Sequence, residues 1–292
     1  MTQLRLDHVQ CLDGRGLHRM AYWEWGDPAN PRVLVCAHGL TRQGRDFDAL
    51  AAALCDEWRV VCPDVVGRGH SDWLADPAGY QVPAYVADMV TLLARLNART
   101  VDWVGTSMGG LIGMALASLP GSPLRRLVLN DVGPALNPAG LMRIAGYVGQ
   151  APRFASEQEG VDHLVALCQP FGEHTSEQWQ ALQRPMLRPL DEAQGGGWRL
   201  HYDPRIGEPF RLLTPELLKA GEAAAWQRWD ALRLPTLLIR GAHSDLLGAD
   251  AARQMGERGP CAQLLEVADA GHAPTLVAPA QIARVREFLA SA

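Results

Sequence analysis

Lysine is almost absent from this chain. Of its 27 basic residues only Lys219 is a lysine. That removes any G-x-x-x-x-G-K phosphate loop and leaves one poor candidate for Schiff-base chemistry. Cysteine is sparse too: Cys11, Cys36, Cys55, Cys62, Cys168 and Cys261 are scattered, with no C-x-x-C pair and no dense disulfide framework. Four of them sit in apolar runs such as VLVCA and VVCPD, which suits small buried hydrophobes in a reducing compartment. No run approaches the ~18 apolar residues needed to span a bilayer. The opening MTQLRLDHVQ has no apolar core of a signal peptide. A formal charge of −5 gives no electrostatic reason for nucleic acid. These absences predict a soluble cytoplasmic protein with neither nucleic acid nor membrane as partner, and with no metal or cofactor.

What is present is core-forming material. Hydrophobic residues make up 48% of the 292, enough for one large domain or a core with an insert. LRLDHVQ (4–10) alternates as a half-exposed strand, and MAYWEWGD (20–27) can return beside it as a hairpin. RVLVCA, WRVVCPD, TVDWV, LRRLVLND, LPTLLIRG and AQLLEVAD follow, and the middle ones are continuous apolar runs, as in parallel strands covered on both faces. Helical patterns at 46–57, 82–96, 111–120 and 279–291 alternate with them. The spacing predicts an α/β fold with a mostly parallel, doubly wound sheet of about eight strands. From Pro134 to Trp226 no strand is evident. Ser156-x-x-Glu159, Thr175 and Thr214-Pro215 mark helix starts instead, so a helical insert over 134–225 is expected, with the core formed by 1–133 and 226–292.

One junction carries chemistry. In VDWVGTSMGG (101–110) a strand ends in a serine ringed by glycines, with a helix pattern directly after. A G-x-S-x-G match is weak alone, but at a strand–helix junction it is the nucleophile elbow. Glycines there let strand and helix approach closely around a strained serine. Such a serine needs a base, and the order expected for this elbow is serine, acid, histidine. His272, in DAGHAP after the last strand, fits the final position. An imidazole with an ordinary pKa near ~6.5 can serve as base and then acid. Asp245, in GAHSDLL past its strand, is the expected acid. Asp131, in LNDVGP one strand earlier, is the rival, read locally as a turn cap before Gly133-Pro134. The oxyanion donors expected are the backbone N–H groups of Met108 and Leu40, the latter in HGLT (38–41), where His38 is read as structural.

With these residues in place, the chain resembles the α/β-hydrolase superfamily from MAYWEWGD to GHAP. Four ordered motifs carry the resemblance: HGLT, PDVVGRGHSD (63–72), GTSMGG (105–110) and GAHSD…GHAP (241–274). It implies that the 134–225 insert is a helical cap setting specificity. Haloalkane dehalogenases and epoxide hydrolases carry an aspartate where this chain has Ser107, which argues against both. The expected activity is that of a serine hydrolase on a small carboxylic ester or lactone, through an acyl-enzyme. The alternative is carbon–carbon bond hydrolysis of a ring-cleavage dienoate, with Arg42 or Arg199 holding its carboxylate. A non-catalytic ligand-binding role is a third reading. Arg42, Trp198, His201 and Tyr202 are the expected substrate-binding residues, with WRLHYDP (198–204) as the pocket-lining stretch. The partner expected is a small-molecule substrate. No heptad or interface pattern fixes an oligomeric state.

Overall fold

The computed structural model describes residues 4–212 and 214–291. The chain begins with strands β1 (Arg5–Asp13) and β2 (Gly16–Trp25), followed by β3 (Val33–Ala37), β4 (Arg59–Pro63), β5 (Val101–Thr106) and β6 (Leu124–Asn130). Helices α1 (Asp48–Leu54), α2 (Val82–Leu96) and α3 (Met108–Ala117) connect them. The insert contains α4 (Pro138–Tyr147), β7 (Arg153–Phe154), α5 (Glu157–Leu167), α6 (Ser176–Gln183), β8 (Leu187–Pro189) and β9 (Trp198–Leu200). It leads into α7 (Pro215–Ala231), after which β10 (Thr236–Gly241), α8 (Ala249–Glu257), β11 (Gln263–Val267) and α9 (Pro279–Ala290) complete the core.

Eight strands form the main sheet in the order β1-β2-β4-β3-β5-β6-β10-β11. The β1–β2 hairpin and the β2–β4 pair are antiparallel, and all later neighbours run parallel. The apolar runs follow from this burial on both faces. Along β3, Val33 and Val35 enter the layer beneath α2 and α3, whereas Leu34 and Cys36 enter the layer beneath α1 and α9. That is the two-residue alternation of a pleated strand, with both faces apolar. Parallel β5 and β6 deliver their C-terminal ends, Thr106 and Asn130, side by side. Ligand sites in open α/β sheets lie off these carboxyl ends.

The insert departs from the helical expectation in one respect. Besides its helices it holds a three-stranded sheet in the order β7-β9-β8. Its strands are two or three residues long, too short for a period to be read from sequence. WRLHYDP, the stretch expected to line the pocket, supplies the central strand β9 and then pairs Tyr202 with Arg68 of the core. The expected caps are in place: Ser156, Thr175 and Thr214 accept from the backbone N–H groups of Glu159, Gln178 and Leu217. Helix α7 runs through residue 225 without a break, and its Trp229 is fully buried, donating to the Arg258 carbonyl at 3.1 Å. Among the described residues no helix is long and apolar enough to cross a membrane. All six cysteines are free, and only Cys261 is exposed.

Candidate active site

The junction of β5 and α3 is a sharp elbow. Ser107 sits at φ 52°, ψ −116°, outside the regions an L-residue ordinarily occupies. Its N–H donates to the Asn130 carbonyl at 2.9 Å, and its carbonyl accepts from the N–H groups of Gly110 and Leu111 in the first turn of α3. Bare backbone makes this possible. A Cβ on Gly109 would lie 1.9 Å from the Ala37 carbonyl oxygen, and one on Gly105 would lie 2.3 Å from the Gly109 oxygen. Neither neighbour is a side chain that can turn aside. Gly109→Ala is therefore expected to destabilise the fold by roughly 3 kcal/mol or more, read as a fall in the urea unfolding midpoint.

His272 meets Ser107 from the loop after β11. Its Nε2 stands 2.9 Å from Ser107 Oγ, and its Nδ1 stands 2.7 Å from Asp131 Oδ2. Asn130 ties this loop down, donating to the Pro274 carbonyl at 2.7 Å and to Thr106 Oγ1 at 3.0 Å. Asp131 is fully buried and left-handed at φ 57°. Its carboxylate also accepts from the Gly241 N–H at 2.9 Å and from Ser244 Oγ at 2.6 Å. A buried carboxylate with three donors is held in one orientation.

Asp245 is not brought to His272, contrary to the expectation from GAHSD. Its half-exposed carboxylate forms a bidentate pair with Arg143 of α4, 2.8 Å at Nη2–Oδ1. The hydrogen bond from Arg143 holds it below the usual aspartate range, against the opposing effect of partial burial. The physical reason lies in the strand order. Since β6 is the direct neighbour of β10, the acid at the end of β6 reaches the histidine loop. The loop after β10 contributes Ser244 as a support for that acid and sends Asp245 outward to the insert.

Leu40 and Met108 flank Ser107 as expected, Met108 beginning α3 and Leu40 in the loop after β3. Among the described residues neither backbone N–H has a protein acceptor. The N-terminus of α3 adds its positive dipole end at the same place. Two buried side chains fix the Leu40 loop. His38 Nε2 accepts from the Val65 N–H at 2.9 Å while Nδ1 lies 2.7 Å from the Gly39 carbonyl. Burial drives its pKa down to about 3, so it stays neutral. Arg68, from the GRGHS loop, donates Nε to the Leu40 carbonyl at 2.8 Å and points Nη2 at Met108 Sδ. Arg68 has a sequence signal, its place in PDVVGRGHSD, that composition-based reasoning passes over.

Two hollows meet at Ser107. One is a cavity of about 150 Å³ under the insert, walled by His272, Thr275, Arg42, Arg143, Tyr147 and Cys168 among others. The second is an apolar groove on the Met108 side, lined by Val82, Leu111, Leu141, Phe210 and Leu217. Leu40, Ser107 and Ile144 border both. Of the expected binding residues, Arg42 and Tyr202 reach the cavity. Arg42 is buried and committed: Asp46 takes Nε and Nη2, and the Leu182 carbonyl and Gln183 Oε1 take the rest of the fork. Burial disfavours its charge, but Asp46 overcompensates and raises its pKa. Tyr202 donates to the Gln150 carbonyl at 3.2 Å. Trp198 and His201 do not line this cavity. His201 packs edge-on against His70 in a separate cleft, and burial lowers its pKa to about 4. Arg143 and Tyr147, on α4, had no distinguishing pattern in the sequence. Away from the site, Cys11, His18 and Asp88 bring potential metal-ligand atoms within 4.8 Å of one another. There Asp88 already faces His18 Nε2 at 3.1 Å.

Comparison with known proteins agrees with this architecture. A 3-hydroxybutyrate-oligomer hydrolase of Cupriavidus necator is 58% identical over 288 residues, which are 99% of this chain and 98% of that protein. An alpha/beta hydrolase from Novosphingobium aromaticivorans superposes with a TM-score of 0.84 at 35% identity, covering 99% of each chain. A putative hydrolase from Rickettsia typhi superposes with a TM-score of 0.87 at 28% identity over 98% of each. The model of the alpha/beta hydrolase fold family matches residues 32–279. The chain belongs to the alpha/beta hydrolase fold family, and it is a hydrolase.

Proposed function

We propose that the protein is a serine ester hydrolase that cleaves short oligomers of 3-hydroxybutyrate through an acyl-enzyme. The observation carrying the chemistry is the continuous hydrogen-bonded chain from Ser107 Oγ through His272 to buried Asp131. The substrate class comes from the likeness to the Cupriavidus necator oligomer hydrolase over the whole chain. Ser107 Oγ attacks the ester carbonyl while His272 Nε2 takes its proton. Asp131 keeps Nδ1 protonated, so Nε2 is the free base, and stabilises the imidazolium that forms. The Leu40 and Met108 amides receive the oxyanion. His272 then gives its proton to the departing alcohol. A water, deprotonated by His272, adds to the acyl-enzyme and frees the acid and Ser107.

A dienoate reading would use Arg42 or Arg199 for its carboxylate; the Arg42 guanidinium is already taken by Asp46, Leu182 and Gln183, and Arg199 lies over Trp73 in the separate cleft of His201. The test is turnover of the racemic dimer and trimer of 3-hydroxybutyrate, with product acid measured by chromatography. A kcat/KM of about 10⁴ M⁻¹s⁻¹ or more is expected, well above that for p-nitrophenyl acetate. Failure to release acid from either oligomer, with the p-nitrophenyl ester still cleaved, would remove the substrate assignment and leave the serine chemistry standing.

A further inference from the structure

Resting on the proposed ester hydrolysis, we infer that the cavity under α4 is the leaving-group side of the site and that Arg143 there grips a free carboxylate on the departing alcohol. The apolar groove on the other side takes the acyl chain. Proton geometry decides which side is which. The leaving alkoxide must receive its proton from His272 Nε2, so the alcohol portion lies beside the imidazole. His272 and the Thr275 segment wall the cavity and are absent from the groove. Met108, whose amide faces the developing oxyanion, lines the groove and not the cavity. The acyl carbonyl carries its chain away from the imidazole into Val82, Leu111, Leu141 and Phe210, a lining with no charged side chain.

Within the cavity the cations differ in what they have to offer. Arg42 has spent its fork on Asp46, Gln183 and a carbonyl. Arg143 gives its Nε and Nη2 edge to Asp245, which leaves Nη1 as the corner of its fork outside that pair. The Tyr147 hydroxyl lies against the same guanidinium. Nη1 and a phenol together make a two-donor seat for one carboxylate, and Asp245 fixes its orientation from behind. In an oligo-3-hydroxybutyrate the unit that leaves as alcohol is the one that ends in, or leads to, the free carboxylate. The bond broken is its ester C–O, and its oxygen departs with the His272 proton. Asp245 is therefore a positioning residue for Arg143, and the enzyme works from the carboxylate end.

The test uses the 3-hydroxybutyrate dimer, which has one scissile ester, against the same dimer with its terminal carboxylate replaced by carboxamide. Wild-type kcat/KM should favour the acid by roughly tenfold or more, the scale of one charge-assisted hydrogen-bond pair. Arg143→Gln should bring that ratio close to one, chiefly through KM, and Arg143→Lys should restore part of it. Ethyl hydrogen succinate, whose carboxylate lies on the acyl side, should show no advantage over ethyl succinamate. A wild-type ratio near one, a ratio that survives Arg143→Gln, or a preference for the acyl-side carboxylate would each overturn the inference. The wild-type comparison decides the matter even where a variant folds poorly. Hydrolysis of neither dimer would count against the oligomer assignment itself, which separates that failure from failure of the Arg143 seat.

Discussion

Replacing Ser107 by alanine is expected to lower kcat on the 3-hydroxybutyrate dimer on the order of 10⁵–10⁶-fold, the scale on which serine hydrolases lose activity without their nucleophile. The size of the loss follows from what remains. Without Oγ no acyl-enzyme forms, and His272 loses the group whose proton it takes at 2.9 Å. The Leu40 and Met108 amides still bind an oxyanion, so a slow attack by water on the bound ester is the ceiling. KM should move little, because Oγ contributes to the transition state more than to ground-state binding. The substitution removes one atom at the N-terminus of α3 and leaves the backbone bonds of the elbow in place, so the melting temperature should stay close to wild type. Two measurements check this: single-turnover rates, and intact mass after a fluorophosphonate probe. The wild type should gain one adduct and Ser107→Ala none. A loss below about 100-fold would mean that the nucleophile is another group, since removing a true nucleophile costs orders of magnitude more.

How much of this was legible in the sequence depends on the range of the interactions. The eight strands of the main sheet were: the middle apolar runs are a local record of burial on both faces, and the alternation in LRLDHVQ marks a half-exposed edge. The elbow was also legible: Gly105, Ser107 and Gly109 are fixed by close contacts within a few residues of one another or across one strand pair, and that geometry demands glycine. His272 follows from its place after the last strand. The acid did not follow. LNDVGP reads locally as a turn, and Asp131 does occupy the left-handed conformation of a turn residue. GAHSDLL reads equally well as a strand-end acid loop. What separates the two is the lateral pairing of β6 with β10, which brings the Gly241 N–H and Ser244 Oγ onto the Asp131 carboxylate from 110 or more residues away. No local pattern records that. The cavity wall was hidden for a similar reason. Arg143 and Tyr147 lie four apart on α4, a spacing common to any helix face, and only the docking of that helix over Asp245 makes them part of a site. Trp198 and His201 show the opposite case: in an aromatic, proline-bounded stretch that reads as a pocket wall, Leu200 and Tyr202 do line the cavity, while Trp198 belongs to the central strand of a small sheet and His201 lines a separate cleft.

Asp131→Asn is expected to lower kcat by about 10³–10⁴-fold, whereas Asp245→Asn is expected to cost less than about tenfold on the dimer carboxamide. The contrast rests on what each carboxylate holds. Asp131 is fully buried and accepts from Gly241, Ser244 and His272 Nδ1. An asparagine there can present its NH₂ to the ring, and Nδ1 must then accept. The proton moves to Nε2, where it faces Ser107 Oγ and cannot take the serine's hydrogen. The same change removes the negative charge that stabilises the imidazolium in the transition state. Shape is conserved, so the fold should survive, and near-wild-type thermal melting would exclude global unfolding as the cause of lost activity. Asp245 touches neither His272 nor Ser107 by hydrogen bond among the described residues; its carboxylate is held by Arg143 at the half-exposed edge of the insert. Losing it loosens Arg143, so its effect should fall on KM for the acid substrate and spare kcat. The measurement is kcat and KM for both variants on the dimer acid and the dimer carboxamide. A crippled Asp245→Asn beside an active Asp131→Asn would transfer the acid's role back to the loop after β10, and with it the reading of Arg143 as a substrate seat would lose the residue that orients it.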